Sequence, residues 1–324
     1  MNEDLICLIV IAFNSEKTIK ATLASIARQR IPSPYSLLVL VIDDCSTDST
    51  RYLASSSFNE FNLDGKVESL FINRGRGHAR NLGVDLSRES KFIGFVDSDI
   101  VLGEDWVSRC LNALLEVPTL HGVGGIAIPD GDIEWISRKY SLALKITNHT
   151  DVITGSNSLF RTLFFEDINF RIENRDGEDI MLLRDARLRG LNEFYRLDDL
   201  IVKHQGSKTF YSFINWMLRS GIGATKMVDW RHPRLPDIAF LIFISSTFLA
   251  VVVSLTTKIH LILLTPFIIL IGASHLHLVN KFDFFHSEKK VWAKAIFANA
   301  IFLGFYMLGR FLGLADIRSW RKSV

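Results

Sequence analysis

The stretch that decides the fold is Phe92-Ile93-Gly94-Phe95-Val96-Asp97-Ser98-Asp99. Its first five residues form a continuous apolar run without polar alternation, the pattern of a strand buried on both faces of a parallel sheet. Two carboxylates follow at once. Acids two residues apart just past a buried strand present hard oxygen ligands to Mg²⁺ or Mn²⁺, whose usual role is to bridge a diphosphate. A solvated turn explains an isolated D-x-D equally well. Upstream, Leu5–Ala12 and Leu37–Ile42 repeat the apolar pattern and run into polar clusters of their own, Asn14-Ser15-Glu16 and Asp43-Asp44-Cys45-Ser46. Between them Ile19, Leu23, Ile26 and Ala27 recur at helical spacing within Ser15–Arg28. This alternation predicts an α/β domain. In open sheets of that class ligands bind outside the carboxyl ends of the strands, so the three clusters are expected to converge on one crevice.

The composition divides the chain in two. Of 324 residues 48% are hydrophobic and 22% charged, with 37 basic against 35 acidic side chains and a mean hydropathy of +0.21. Such a balance lacks the basic excess of a dedicated nucleic-acid binder. It also excludes intrinsic disorder, and three widely spaced cysteines, Cys7, Cys45 and Cys110, make neither a disulfide scaffold nor a zinc site. The apolar excess lies after Asp237. Ile238–Leu255 carries no charge and approaches the roughly 20 residues needed to cross a bilayer. A second run, Ile259–Val279, is broken by Pro266, His275 and His277, and the short Thr256-Thr257-Lys258 link makes the pair a hairpin.

The expected organisation is a catalytic domain over residues 1–235 and a membrane region over 236–324. The latter has spans at about 238–255 and 259–279 and a third apolar helix at about 293–313, transmembrane or interfacial. Residues 237–324 hold 9 basic and 4 acidic side chains, against 28 and 31 in residues 1–236. The basic link Lys281, Lys289, Lys290, Lys294 and the basic tail Arg310, Arg318, Arg321, Lys322 both belong on the cytoplasmic face by the positive-inside rule, which favours a third helix that does not fully cross. The acidic start Asn2-Glu3-Asp4 before a short apolar run is unlike a secretory signal, so the first domain is expected on the cytoplasmic side of an integral membrane protein.

Six segments taken in order carry a resemblance: Ile9–Asn14, Val41–Asp48, Arg80-Asn81-Leu82-Gly83, Val96–Asp99, Gly155–Arg161 and Gly177-Glu178-Asp179. Their order and spacing resemble family 2 glycosyltransferases, inverting enzymes of the GT-A fold, over roughly residues 5 to 230. The resemblance implies a mixed, mainly parallel sheet, a nucleotide-diphosphate sugar donor and a divalent metal, Mg²⁺ or Mn²⁺. It places Asp43 and Asp44 at the nucleotide, with the backbone near Ala12 and Phe13 against the base and ribose. Asp97 would meet the ribose or the metal's water shell, Asp99 would ligate the metal, and Arg80 and Asn81 would lie near the donor diphosphate. Asp179 is the implied general base, with Glu178 orienting it, although a helix N-terminus also favours these acids.

The segments around His204 and Arg219 resemble a late motif of membrane-associated members, with His204 as metal ligand and Arg219 on the diphosphate, or His204 as a structural histidine. Processive synthases of the family carry Gln-x-x-Arg-Trp, whereas this chain has Asn215-Trp216-Met217-Leu218-Arg219. A single-sugar transfer is therefore expected over polymer extrusion. The return to the membrane after these motifs suggests a lipid-linked saccharide acceptor in prokaryotic cell-surface glycan synthesis. Polyprenyl phosphate is the alternative acceptor, and a non-catalytic sugar-nucleotide-binding scaffold is the alternative of another class. Asn148-His149-Thr150 matches a glycosylation pattern by chance, given a cytoplasmic domain.

Overall fold

The structure, a computed structural model, describes residues 2–129, 153, 155–172, 177–205, 209–226, 228, 235–258, 260, 262, 265–266, 268–272 and 300–314. The chain divides into two compact units: Met1–Ser137 with Ile146–Ser207, and Arg138–Lys145 with Lys208–Val324.

The first unit is built on an eight-stranded sheet: β1 (Asn2–Ala12), β2 (Ser36–Asp43), β3 (Gly65–Ser69), β4 (Ser90–Asp97), β5 (Ile100–Val101), β6 (Gly122–Pro129), β7 (Asn157–Arg161) and β8 (Phe194–His204). Their order across the sheet is β3-β2-β1-β4-β7-β6-β8-β5. β1 pairs in parallel with both β2 and β4, β2 with β3, and β6 with β8, whereas β7 and β5 run against their neighbours. The three apolar runs are strands of the expected mixed, mainly parallel sheet.

The alternation of side chains along β1 explains why it has no polar face. Ile6, Leu8, Val10 and Ala12 pack on one side with Ile19, Leu23 and Ile26 of α1 (Ile19–Ala27) and with Trp106, Leu111 and Leu114 of α4 (Trp106–Glu116). Cys7, Ile9 and Ile11 pack on the other side with Ala79 and Val84 of α3 (Arg76–Leu86) and with Leu182, Leu183 and Ala186 of α5 (Glu178–Leu188). Both faces are covered, so each buried aliphatic side chain contributes about 1.5–3 kcal/mol and a polar residue in either row would lack a partner. The burial of α1 begins later than its periodicity suggests. The Ser15 carbonyl accepts the Thr18 and Ile19 amides, and the Ser15 amide bonds to Thr50 Oγ1 at the start of α2 (Thr50–Glu60), so residues 15–18 serve as a loop joint.

On the α3–α5 side, the ring of Phe95 meets Phe160, Phe165 and Phe170 edge-on, with centroids 5.9, 5.8 and 5.2 Å away. Edge-to-face rings of this spacing add to area burial. They hold the segment after β7 against β4, which delivers the following turn to the carboxyl end of the sheet.

The second unit contains α6 (Phe210–Lys226), α7 (Leu235–Thr257) and α8 (Ala300–Leu314). α6 thus falls in the second unit, although a boundary near residue 235 would have left it with the first. Asp237–Thr257 is the one helix among the described residues long and apolar enough to cross a membrane. Within the second apolar run, residues 265–266 and 268–272 are helical. His275, His277, Lys281, Lys289, Lys290, Lys294, Arg318, Arg321, Lys322 and Asn148-His149-Thr150 lie outside the described residues, as does the part of the expected third helix before Ala300. α8 is held to α6 by a hydrogen bond from Thr225 Oγ1 to the Arg310 carbonyl at 2.9 Å and by the Phe213–Phe302 ring contact at 4.4 Å. Arg310 and Asp237, both fully buried, form an ion pair at 2.5 Å, and the guanidinium lies over Phe240.

Candidate active site

The strand registers bring the polar clusters together. Ala12 stands opposite Asp43 on β2, and Ile11 stands opposite Asp97 on β4, so the ends of β2, β1 and β4 lie side by side. Hydrogen bonds then join their loops. The Asn14 amide donates to Ser46 Oγ, the Thr47 amide donates to Asn14 Oδ1, and the Ser15 and Ser98 hydroxyls meet at 2.7 Å. Ser98, in the middle of the D-S-D, is held further by Thr22 Oγ1, which donates to its carbonyl. α1 and the β4 loop are thereby locked to each other.

The acids differ in what they face. Asp44 is buried, and its two carboxylate oxygens accept the Arg74 and Gly75 amides at 2.9 and 2.8 Å. Asp43, also buried, accepts the Ser46 amide at 3.2 Å. Both acids therefore shape the loops on which a nucleotide would rest. The large exposed groups around them are Phe13, Ile72 and Phe71, and the Phe71 side chain is 99% exposed. The Cys45 thiol donates to the Phe71 carbonyl, which ties this residue to the Asp43–Asp44 turn. Sequence reasoning did not single out Phe71, because one aromatic residue after an edge strand carries no periodic signal.

Asp97 and Asp99 are drawn to different partners. Asp97 Oδ1 accepts from Arg80 at 2.9 Å. Asp99 Oδ2 meets His204 Nε2 at 2.8 Å, because the antiparallel β5–β8 pair sets Ile100 opposite His204. Among the described residues no group of three His, Cys, Asp or Glu side chains is placed to hold a metal. The Asp99–His204 pair offers one carboxylate oxygen and one imidazole nitrogen, donor types that a divalent ion takes.

Arg80 does not face outward. It is 1% exposed and contacts Glu178 through one terminal nitrogen, and Asp97 and the Gly155 carbonyl through the other. Burial alone would favour the neutral guanidine, but Glu178, Asp97 and Asp179 outweigh it and raise its pKa further. Asn81 exchanges two hydrogen bonds with the Phe170 backbone, both 2.8 Å, and so fastens the loop after β7 to α3. The Gly177-Glu178-Asp179 turn opens α5, with Gly177 at φ 83°, a left-handed conformation that glycine adopts without strain. Asp179 Oδ1 accepts the Ile180 amide and Oδ2 accepts the Gly155 amide at 3.0 Å. Glu178 is buried, and desolvation holds its carboxyl above the usual carboxylate range against the opposing pull of Arg80. Arg219 is exposed on α6 of the second unit.

A mixed, mainly parallel sheet with acids gathered at its strand ends defines a GT-A type α/β domain. The glycosyl transferase family 2 model matches residues 7–175, and the chain belongs to that family. It is 30% identical over 190 residues to the poly(ribitol-phosphate) β-N-acetylglucosaminyltransferase TarS of Staphylococcus aureus, covering 56% of this chain and 32% of that protein. It is 34% identical over 93 residues to the minor teichoic acid biosynthesis protein GgaA of Bacillus subtilis, covering 28% of this chain and 21% of that protein. The chain thus spans a third or less of the length of these relatives. Its fold is similar to that of the mannosyltransferase PcManGT of Pyrobaculum calidifontis, solved with GDP-Man and Mn²⁺. The TM-score is 0.63 at 16% identity, covering 96% of this chain and 87% of that one.

Proposed function

We propose that this chain is an inverting, metal-dependent glycosyltransferase that moves one sugar from a nucleotide-diphosphate donor to a hydroxyl acceptor in cell-surface glycan synthesis. The observation that carries the reading is the junction of donor and acceptor sides. Asp97, from the strand ends, and Glu178, beside Asp179, meet on one guanidinium, and the Gly155 peptide links that guanidinium to Asp179. In the displacement the acceptor oxygen forms a bond to the anomeric carbon, the bond to the diphosphate breaks, and Asp179 takes the hydroxyl proton. Asp99 and His204 would hold the divalent ion, which when bound neutralises the departing diphosphate. Asp43 and Asp44 order the loops under the nucleotide, and Ala12 and Phe13 border them.

An acceptor hydroxyl needs a base, whereas an ionised phosphate acceptor does not, so Asp179 supports a saccharide hydroxyl over polyprenyl phosphate. Names of relatives that act in teichoic acid and poly(ribitol-phosphate) chemistry support the same class of acceptor. Radiolabelled sugar transfer from UDP-, GDP- and dTDP-sugars to lipid-linked saccharide and to bare polyprenyl phosphate tests the reading. Transfer to the bare carrier alone would overturn the hydroxyl acceptor, and no transfer to either would overturn the enzyme.

Phe71 is proposed as the platform for the nucleotide base. Phe71→Ala is expected to weaken nucleotide binding by about 1–3 kcal/mol, the range for base–aromatic stacking. Calorimetry with UDP and GDP checks this, and an affinity equal to wild type would dismiss the platform.

The second unit is proposed to anchor the enzyme, with α7 crossing the bilayer from the cytoplasmic side. Arg310 near the end of α8 lies on Asp237 and Phe240 in the first turns of α7, and Met307 packs with Phe240. The described end of α8 thus lies beside the start of α7, the end at which the positive-inside rule puts the basic residues that follow in the sequence. A carboxyl-terminal fusion to a fluorescent protein should fluoresce, and an alkaline phosphatase fusion should be inactive. An active phosphatase would refute this topology.

A further inference from the structure

We propose that Arg80 is a positioning residue that fixes the acceptor-side Gly177–Asp179 turn relative to Asp97, rather than a ligand of the donor diphosphate. The inference rests on the transferase reading for its chemistry but on geometry for its substance. A phosphate-binding guanidinium presents its planar fork to the ligand. Here both terminal nitrogens are taken: one contacts Glu178, and the other contacts Asp97 at 2.9 Å and the Gly155 carbonyl at 3.1 Å. Phe170 covers the guanidinium from 5.5 Å. The guanidinium's Nε makes no hydrogen bond among the described residues but is buried with the rest of the group, which is 1% exposed, so a diphosphate could reach Arg80 only if its neighbours moved.

The same arrangement makes Arg80 a junction of three chain segments. The end of β4 is tied to it through Asp97, and the Asp97 amide bonds to the Ser156 carbonyl. The turn before β7 meets it through the Gly155 carbonyl, and the amide of that same residue holds Asp179. The start of α5 meets it through Glu178. A Cβ at Gly155 would stand 3.0 Å from the Arg80 guanidinium carbon, 3.0 Å from its terminal nitrogen and 3.0 Å from the Asp179 Cβ. Gly155 is thus a spacer of minimal size between the clamp and the proposed base. The neighbouring Asn81 bonds to Phe170, so two consecutive residues of α3 hold the chain on both sides of β7. Lysine keeps the charge but is a point cation, and it cannot bridge separated carboxylates as a fork does.

The test uses the full chain in nanodiscs as wild type, Arg80→Lys, Gly155→Ala and the double variant. Hydrogen exchange reads the clamp without any substrate. Arg80→Lys is expected to speed exchange of the amides around 155–157 and 179–182 about tenfold or more, with β1 and β2 unchanged. Wild-type exchange at both segments would overturn the clamp. Binding of UDP and GDP with Mn²⁺ reads the rival role. Affinity for whichever nucleotide the wild type holds should stay within about threefold, whereas a loss of about tenfold or more would return Arg80 to the diphosphate. In sugar transfer, kcat is expected to fall about a hundredfold with KM nearly unchanged, the signature of misplaced reacting groups. Gly155→Ala should behave alike and the double variant no worse than the single one, because both changes disable one device. Full additivity would count against a shared device. If Arg80→Lys does not fold, Gly155→Ala carries the same exchange and kinetic comparisons. A wild type that transfers no sugar would sink the transferase reading, while the exchange result would still decide the clamp.

Discussion

Asp179→Asn is expected to abolish sugar transfer almost completely, lowering kcat by about 10²–10⁴, the contribution of a positioned general base. Asparagine is nearly isosteric and keeps an oxygen for the Gly155 or Ile180 amide that Asp179 now accepts. It removes the negative charge and the ability to take a proton. Donor binding should therefore stay near wild type, and stability should change little, because the half-buried side chain sits at a helix start. The loss should appear in kcat and not in KM, since proton removal is needed only as the new bond forms. Steady-state kinetics alongside calorimetric nucleotide binding separates these effects. A variant with more than about a tenth of wild-type turnover would show that Asp179 caps α5 and does no chemistry, because helix capping has no reason to affect the chemical step.

Asp99→Ala is expected to cost roughly 10²-fold or more in turnover and to raise the concentration of Mn²⁺ or Mg²⁺ needed for half-maximal activity. The argument is local. Asp99 and His204 are the two potential ligands that the β5–β8 pairing places in contact, and of the two the carboxylate is the oxygen donor that a hard cation prefers, so its loss removes the stronger partner. Chelation of the wild type should mimic the substitution, with activity restored by added metal, and His204→Ala should give a milder version of the same shift. Asp97 behaves differently, since it is bound to Arg80. Asp97→Asn should disturb the acceptor turn as well as the donor, and its loss should not be recovered by excess metal. Nucleotide binding indifferent both to EDTA and to Asp99→Ala would remove the metal from this site.

Much of this architecture is written locally in the chain. The strands β1, β2 and β4 are legible because strands buried on both faces must be continuous apolar runs, and their ends are legible because acids cannot continue into a covered sheet. The ordered motifs placed the chain in its family. The apolar helix after Asp237 is legible because Ile238–Leu255 holds no charge, Gly or Pro that would interrupt it.

The direction in which each acid faces is not a local property. Asp44 with its loop amides, Asp97 with Arg80, and Asp99 with His204 are pairings across 30, 17 and 105 residues of sequence. Long-range partners depend on strand order and register, which pattern alone does not supply. That is why an arginine expected at the diphosphate lies sealed among carboxylates, and why the exposed Phe71 drew no notice. The sequence by itself determined the kind of sheet, the acids at its edge and the family. Only the tertiary structure decided which side chains those acids meet, because a charge that leaves water takes the partner that folding places within reach.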